Sequence, residues 1–197
     1  EKLRLYKKLL PNAKIMTLHH AAMVRTYMPE FEQHPYADSA IRNKDGSPYS
    51  HAGYDSLILR DKTKEGWSII YYLPMPGNAL WERLMDDVEA AIAAGSDGAY
   101  FDEFSFCTPR DYRRYDYSSW DGFSADIDDS GKITALKSDN ARTTDLFKNA
   151  LLQRLMSSGK LFLGNGIDCS RAAFSSGGHG FIEGTALVNM PEAHLHH

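Results

Sequence analysis

Two adjacent carboxylates, Asp102 and Glu103, close an apolar run in the stretch Gly98-Ala99-Tyr100-Phe101-Asp102-Glu103-Phe104. Charged side chains are seldom buried without a partner, so a pair of them where a core strand ends requires a reason. One reason is general acid and base chemistry, in which one carboxyl holds a proton and its neighbour stays ionised. Successive strand residues face opposite sides of a sheet. Glu103 can therefore share a pocket with Asp102 only if it lies past the last paired residue. A second reason is structural: ion pairing with Arg110, Arg113 or Arg114 in the segment that follows.

The elements that must position this pair alternate along the chain. Residues 1–10 read as a helix, KIMTL (14–18) as a buried strand and SIIYYL (68–73) as a β-branched, aromatic strand. Asn78 is a natural N-cap for a helix whose Leu80, Leu84, Val88, Ala91 and Ile92 share a face, with Gly95 at its end. GAYFDE (98–103) then reads as a third strand, so strand, helix and strand form a βαβ unit with a parallel crossover. A second helix, 139–158, carries Phe147, Leu151 and Leu155 in register and leads to strand 160–164, and a fifth strand is expected at 180–183. Residues 26–66 form a long polar connection, of a length that is usually functional or partly disordered. Each strand ends in polar side chains: His19-His20, Tyr72, Asp102-Glu103, Asn165 and Glu183. In parallel α/β folds such ends form the active face.

Serial strand–helix units suit a doubly wound sheet or a (β/α)8 barrel. Neither GxGxxG nor GxxxxGK[ST] occurs, which weighs against nucleotide-binding sheets. Five strands in 197 residues make about two-thirds of a barrel, which typically needs ~250 residues. The expectation is a partial or truncated (β/α)8 barrel with parallel strands, whose long insert (104–137) contains a β-hairpin. Residues 1–197 read as a single catalytic-type α/β domain, a processed protein or a piece of a longer one.

Bulk properties narrow the partners. The net charge is -4 and the pI about 6.1, so no basic surplus points to nucleic acid. The apolar runs are far shorter than the ~20 residues of a membrane span. Eleven Tyr, nine Phe and three Trp suit an aromatic cleft for sugars as well as a packed core. Cys107 and Cys169 have no metal-ligand spacing and read as two free thiols. No HExxH and no GxSxG occurs, so neither a catalytic zinc nor a serine triad is expected, and no cofactor or metal is assigned. No lysine stands at a strand end, which argues against Schiff-base chemistry.

The insert is the second informative region. Trp120 beside Asp121 offers an aromatic platform and a carboxylate for stacking on a sugar and gripping its hydroxyls, or a ring packed under the loop. Asp126-Ile127-Asp128-Asp129-Ser130-Gly131-Lys132-Ile133 copies the first eight places of a calcium loop, with Gly at place six. Lys137 stands at place twelve, where a bidentate Glu is needed, so a β-hairpin with a tight turn is the preferred reading.

GSDGAYFDEFSF resembles the fourth-strand segment of (β/α)8-barrel glycoside hydrolases. Its adjacent Asp-Glu pair is similar to that of β-N-acetylhexosaminidase-like families. The resemblance covers about a dozen residues, and Tyr100-Phe101 precede the pair where those families differ. It implies that Glu103 protonates the leaving oxygen and that Asp102 orients the substrate. In that group the orienting carboxylate holds the 2-acetamido group that attacks the anomeric carbon. A standard glycosidase instead holds two carboxyls ~5–5.5 Å or ~6.5–9.5 Å apart on different elements, which adjacent residues cannot do. The opposing group is then Glu183, the substrate itself or a strand outside this chain. Glu103 is expected to bind its proton more tightly than an ordinary carboxyl, helped by neighbouring Phe side chains and the charge of Asp102. His19, Tyr72, Trp120, Asp121 and Asn165 would line the substrate site. The implied function is cleavage of a glycosidic bond in an oligo- or polysaccharide, in a secreted or periplasmic setting. The alternative is a non-catalytic carbohydrate-binding or scaffold module derived from such a barrel. Oligomeric state is not legible.

Overall fold

The computed structural model describes residues 2–50, 65–106, 115–166 and 179–181. Helix α1 (Lys2–Leu9) leads to strands β1 (Met16–His20) and β2 (Met23–Tyr27), then to strand β3 (Trp67–Tyr71), helix α2 (Ala79–Ala93) and strand β4 (Gly98–Asp102). Four short strands follow: β5 (Tyr115–Asp116), β6 (Ala125–Ile127), β7 (Ile133–Leu136) and β8 (Ser138–Asp139). Helices α3 (Asn140–Thr143) and α4 (Asp145–Ser157) and strands β9 (Leu161–Asn165) and β10 (His179–Phe181) complete the order. The chain divides into two compact units, one of Glu1–Ala21, Leu84–Ser105 and Lys148–His197, the other of Ala22–Arg83 and Phe106–Phe147.

The first unit is built on one parallel sheet in the order β1-β4-β9-β10. Three strands have five residues, and β10 adds three at one side. Its hydrophobic face is aromatic. Phe101 and Phe162 of adjacent strands are buried, and Phe104 packs on both, its ring 4.6 Å from that of Phe162. Leu84 and Val88 of α2 and Leu151, Leu152 and Leu155 of α4 are also buried, at the helical spacing the sequence shows.

The N-terminal ends of the strands are sewn together by Ser96 and Asp97. The Asp97 carboxylate accepts the Ile15 N–H at 2.7 Å and pairs with Lys7, while its backbone bonds Ile15 on one side and Leu161 on the other. Gly98 follows because nothing larger fits. A Cβ there would lie 2.0 Å from the Leu161 carbonyl oxygen, so β4 and β9 approach at this point only across a glycine.

The second unit is antiparallel. β2 pairs with β3, Val24 opposite Ile70 and Thr26 opposite Ser68. Isolated bridges Ala40–Tyr72 and Ser50–Ile70 extend this pair. Its core gathers Tyr71, Tyr72, Ile41, Ile70 and Phe31, and Tyr36, Tyr72 and the His34 ring pack on one another. β5 pairs with β8, and β6 with β7. The residues that matched a calcium loop form the turn of this last hairpin, where the Asp128 carboxylate accepts the N–H groups of Ser130 and Lys132.

The partial (β/α)8 barrel expected from the sequence is therefore corrected. The fold is a small mixed α/β one, with a short parallel sheet and separate antiparallel pairs. The error lies in segment 68–73, which the sequence reading places in the parallel sheet. A β-branched, aromatic run has the same composition whether its neighbour runs parallel or antiparallel. Here β2 decides, since it pairs with β3 along its whole length. The sequence reading gives residues 23–25 no element and begins a polar connection at Thr26, yet Thr26 is buried and shares a 2.8 Å hydrogen bond with the Tyr72 hydroxyl.

Candidate functional site

Three neighbouring strands end with one polar side chain each. His20 ends β1, Asp102 ends β4 and Asn165 ends β9, and His20 lies opposite Asp102 in the register. All three reach the C-terminal edge of the parallel sheet, the opposite end from the Asp97 stitching. The Asn165 side-chain amide donates to Asp102 Oδ1 at 2.7 Å, and the Glu103 N–H donates to the same oxygen at 3.0 Å. His20 Nε2 lies 3.8 Å from the other oxygen, Oδ2, which is within ion-pair range and beyond a hydrogen bond. The His20 and Asp102 side chains keep 33% and 31% of their surface exposed, so a ligand can reach both. Asp102 is tied down without being sealed off.

Glu103 is the first residue past the strand. Its φ of 58° lies in the left-handed region, which a non-glycine residue enters at a cost of about 1–2 kcal/mol. This breaks the strand's alternation at Asp102, so pleating no longer forces the two carboxylates to opposite faces. The surrounding contacts hold the strained turn in place. The Phe104 N–H donates to the Asn165 carbonyl at 3.0 Å. Gly164 lies against the Phe104 ring, and Gly166, with φ 101°, lies against Ser105, which a Cβ would meet at 2.7 Å. Glycines on either side of Asn165 thus let β9 press on the loop that carries Glu103. Strain maintained by its surroundings is common at functional sites, and the observed outlier supports a functional hypothesis here.

The sequence reading selects Asp102, Glu103 and Asn165, and the structure brings them together. It selects His19 where the structure places His20. The strand runs from Met16 to His20 instead of 14–18, so both histidines lie within it and point to opposite faces. His19 stacks on Phe101 at 5.1 Å and bonds the Thr17 hydroxyl at 2.7 Å. Burial lowers its pKa, partly opposed by the charge of Asp87. The parity of the strand was the signal that separates the two.

Tyr72, Trp120 and Asp121 belong to the second unit. Tyr72 is in the second unit and fully buried; burial raises its pKa, and its hydroxyl is engaged by Thr26. That corrects its assignment to a substrate-lining surface. Trp120, also in the second unit, is exposed. Asp121 beside it is a loop clamp that accepts the N–H groups of Phe123, Ser124 and Asp139 and the Ser124 hydroxyl. Burial alone would raise its pKa, and these bonds overcome burial to hold it well below the usual carboxylate range. Glu183 lies outside the described residues, as do Cys107, Cys169, Arg110, Arg113 and Arg114.

Among the described residues no group of three or more His, Cys, Asp or Glu side chains could hold a metal ion, and no helix is long and apolar enough to cross a membrane. Comparison with family models, curated proteins and solved structures finds no match to this chain.

Proposed function

We propose that the chain is a carbohydrate-active hydrolase whose site is the His20–Asp102–Asn165 row with Glu103 beside it. The observation that carries this reading is the fixed carboxylate next to a second one in a strained turn, at the C-terminal edge of a parallel sheet. Asp102 holds and orients the sugar. Glu103 gives its proton to the leaving oxygen as the glycosidic C–O bond breaks. Water then delivers its hydroxyl to the anomeric carbon and its remaining proton to a carboxylate, so that one water is consumed per bond.

The test is a panel of 4-nitrophenyl glycosides. Glu103→Gln keeps the shape and removes the acid, and is expected to lower turnover by about 100-fold or more on the glycoside that the wild type cleaves best. Unchanged turnover in Glu103→Gln overturns the assignment. Wild type that binds oligosaccharides and never cleaves them is instead a binding module.

A further inference from the structure

Residues 1–10 hold four basic side chains, Lys2, Arg4, Lys7 and Lys8, against one acid, Glu1. In an α-helix, positions four apart fall into one row, and positions two apart point to nearly opposite sides. Leu5 and Leu9 therefore form one row of α1. Tyr6 and Leu10 form the next, Leu10 continuing the helix through its N–H bond to the Tyr6 carbonyl at 2.8 Å. Lys7 stands opposite Leu5 and Leu9, and Arg4 and Lys8 form the row beside them.

The contacts settle which side faces the protein. The Lys7 ammonium pairs with the Asp97 carboxylate, which also accepts the Ile15 N–H. No residue of α1 is buried, and Leu5, Tyr6, Leu9 and Leu10 are 53%, 51%, 63% and 54% exposed. The helix is thus inverted. It is tied to the sheet through a charge and turns its apolar side outward, the reverse of an ordinary surface helix.

Two features name what this side meets. The first is area. Four large side chains, each about half exposed, offer roughly 400 Å² together. That is about half of the ~800 Å² per partner that a stable protein complex buries, too little to hold a second copy of the chain. The second is charge. Lys2 heads both apolar rows and Arg4 and Lys8 run alongside, all three exposed. Leucine and tyrosine bordered by lysine and arginine suit the boundary between acyl chains and anionic headgroups. The apolar side chains enter it, and the cations reach back to the phosphates. The net charge of -4 opposes this little, because charges beyond ~8 Å are largely screened at physiological salt.

We infer that α1 is a surface anchor that lays Leu5, Tyr6, Leu9 and Leu10 into an anionic phospholipid bilayer, with Lys2, Arg4 and Lys8 on the headgroups. The inference stands apart from the hydrolase reading. It gives the protein a place of action, the face of an anionic membrane, whatever the chemistry of the Asp102 row.

The experiment is co-sedimentation of the whole chain with vesicles of phosphatidylcholine alone and of phosphatidylcholine mixed with phosphatidylserine. Each exposed Lys or Arg at an anionic surface strengthens partition about fivefold, so the mixed vesicles are expected to bind at least about tenfold better. Raising the salt should remove most of that gain. L5Q/L9Q is expected to lower partition on the mixed vesicles by about tenfold or more. R4Q/K8Q should remove most of the preference for the anionic lipid. All four side chains are exposed, so both variants should keep the wild-type circular dichroism. L146Q, which removes an exposed leucine of α4, is the control and should bind like wild type. Equal binding to both vesicle types, no binding to either, unchanged binding in L5Q/L9Q, or an equal loss in L146Q overturns the anchor. So does a wild-type dimer in sedimentation equilibrium that L5Q/L9Q turns into a monomer, because the stripe is then an interface between copies.

Discussion

Replacing Gly166 by alanine tests whether the loop carrying Glu103 is held as described. Two costs combine. Alanine at φ 101° leaves the region that L-residues prefer, at about 1–2 kcal/mol. Its Cβ would also stand 2.7 Å from Ser105 Oγ, 2.9 Å from Ser105 Cβ and 3.2 Å from the Ser105 nitrogen. Overpacking of this kind costs about 1–3 kcal/mol. Gly159→Ala is the control, because Gly159 also has positive φ, at 63°, and a Cβ there meets nothing within 4 Å. Gly166→Ala is therefore expected to lose about 1–3 kcal/mol more than Gly159→Ala in urea unfolding. The excess should shrink when Ser105→Gly is added, since two of the three close contacts go with that side chain. Turnover of a cleaved glycoside should fall in Gly166→Ala and stay near wild type in Gly159→Ala. An excess cost that is unchanged by adding Ser105→Gly would refute the reasoning, because the strain would then lie in the backbone alone.

Two further outcomes follow from the same kind of packing. Gly98→Ala places a Cβ 2.0 Å from a backbone oxygen that cannot swing away, so the variant is expected to lose more than about 4 kcal/mol or to fail to fold, as read by circular dichroism and soluble yield. Asp126 has its pKa lowered to about 2, first by the Lys137 ammonium, with Lys44 and the Tyr117 hydroxyl adding to it against burial. A depressed folded pKa contributes stability that is present above the unfolded value near about 4 and is lost as pH falls towards about 2. Asp126→Asn should thus be less stable than wild type by about 1 kcal/mol at neutral pH, after allowance for solvent screening. The gap should narrow between about pH 5 and pH 3 in urea midpoints, and a constant gap would show that charge is not its source.

How far the sequence foretold the molecule differs by element. Helices α2 and α4 were legible because an apolar stripe every third or fourth residue has one physical meaning when it is buried on one side. Asp102 and Asn165 were legible because a polar residue after a short apolar run rich in aromatic or leucine side chains marks a strand end. The pairing of β3 was not legible, because hydrogen-bond direction leaves no trace in composition, and its partner β2 lies in a segment to which the sequence reading assigns no strand. The sequence reading names His20 beside His19 after a strand ending at 18, and only the extension of β1 to His20 assigns the two histidines to opposite faces. The clamping roles of Gly164 and Gly166 lay in plain sight around Asn165. Their meaning depended on Phe104 and Ser105, which are about sixty residues earlier in the chain.

The order of the parallel sheet also bears on when the site comes into being. Asp102 and Asn165 are 63 residues apart, and the Ile15–Asp97 bond that aligns β1 with β4 spans 82. Nearly every contact that shapes the row is non-local, and loops of this length must close before any of them forms. Such a topology folds slowly compared with one built from neighbouring segments. During synthesis His20 emerges early and Asp102 much later, and neither has its final neighbours until Asn165 has left the ribosome. Local structure such as the β6–β7 hairpin can form long before then. In a refolding experiment the recovery of ligand binding should accordingly trail the recovery of secondary structure.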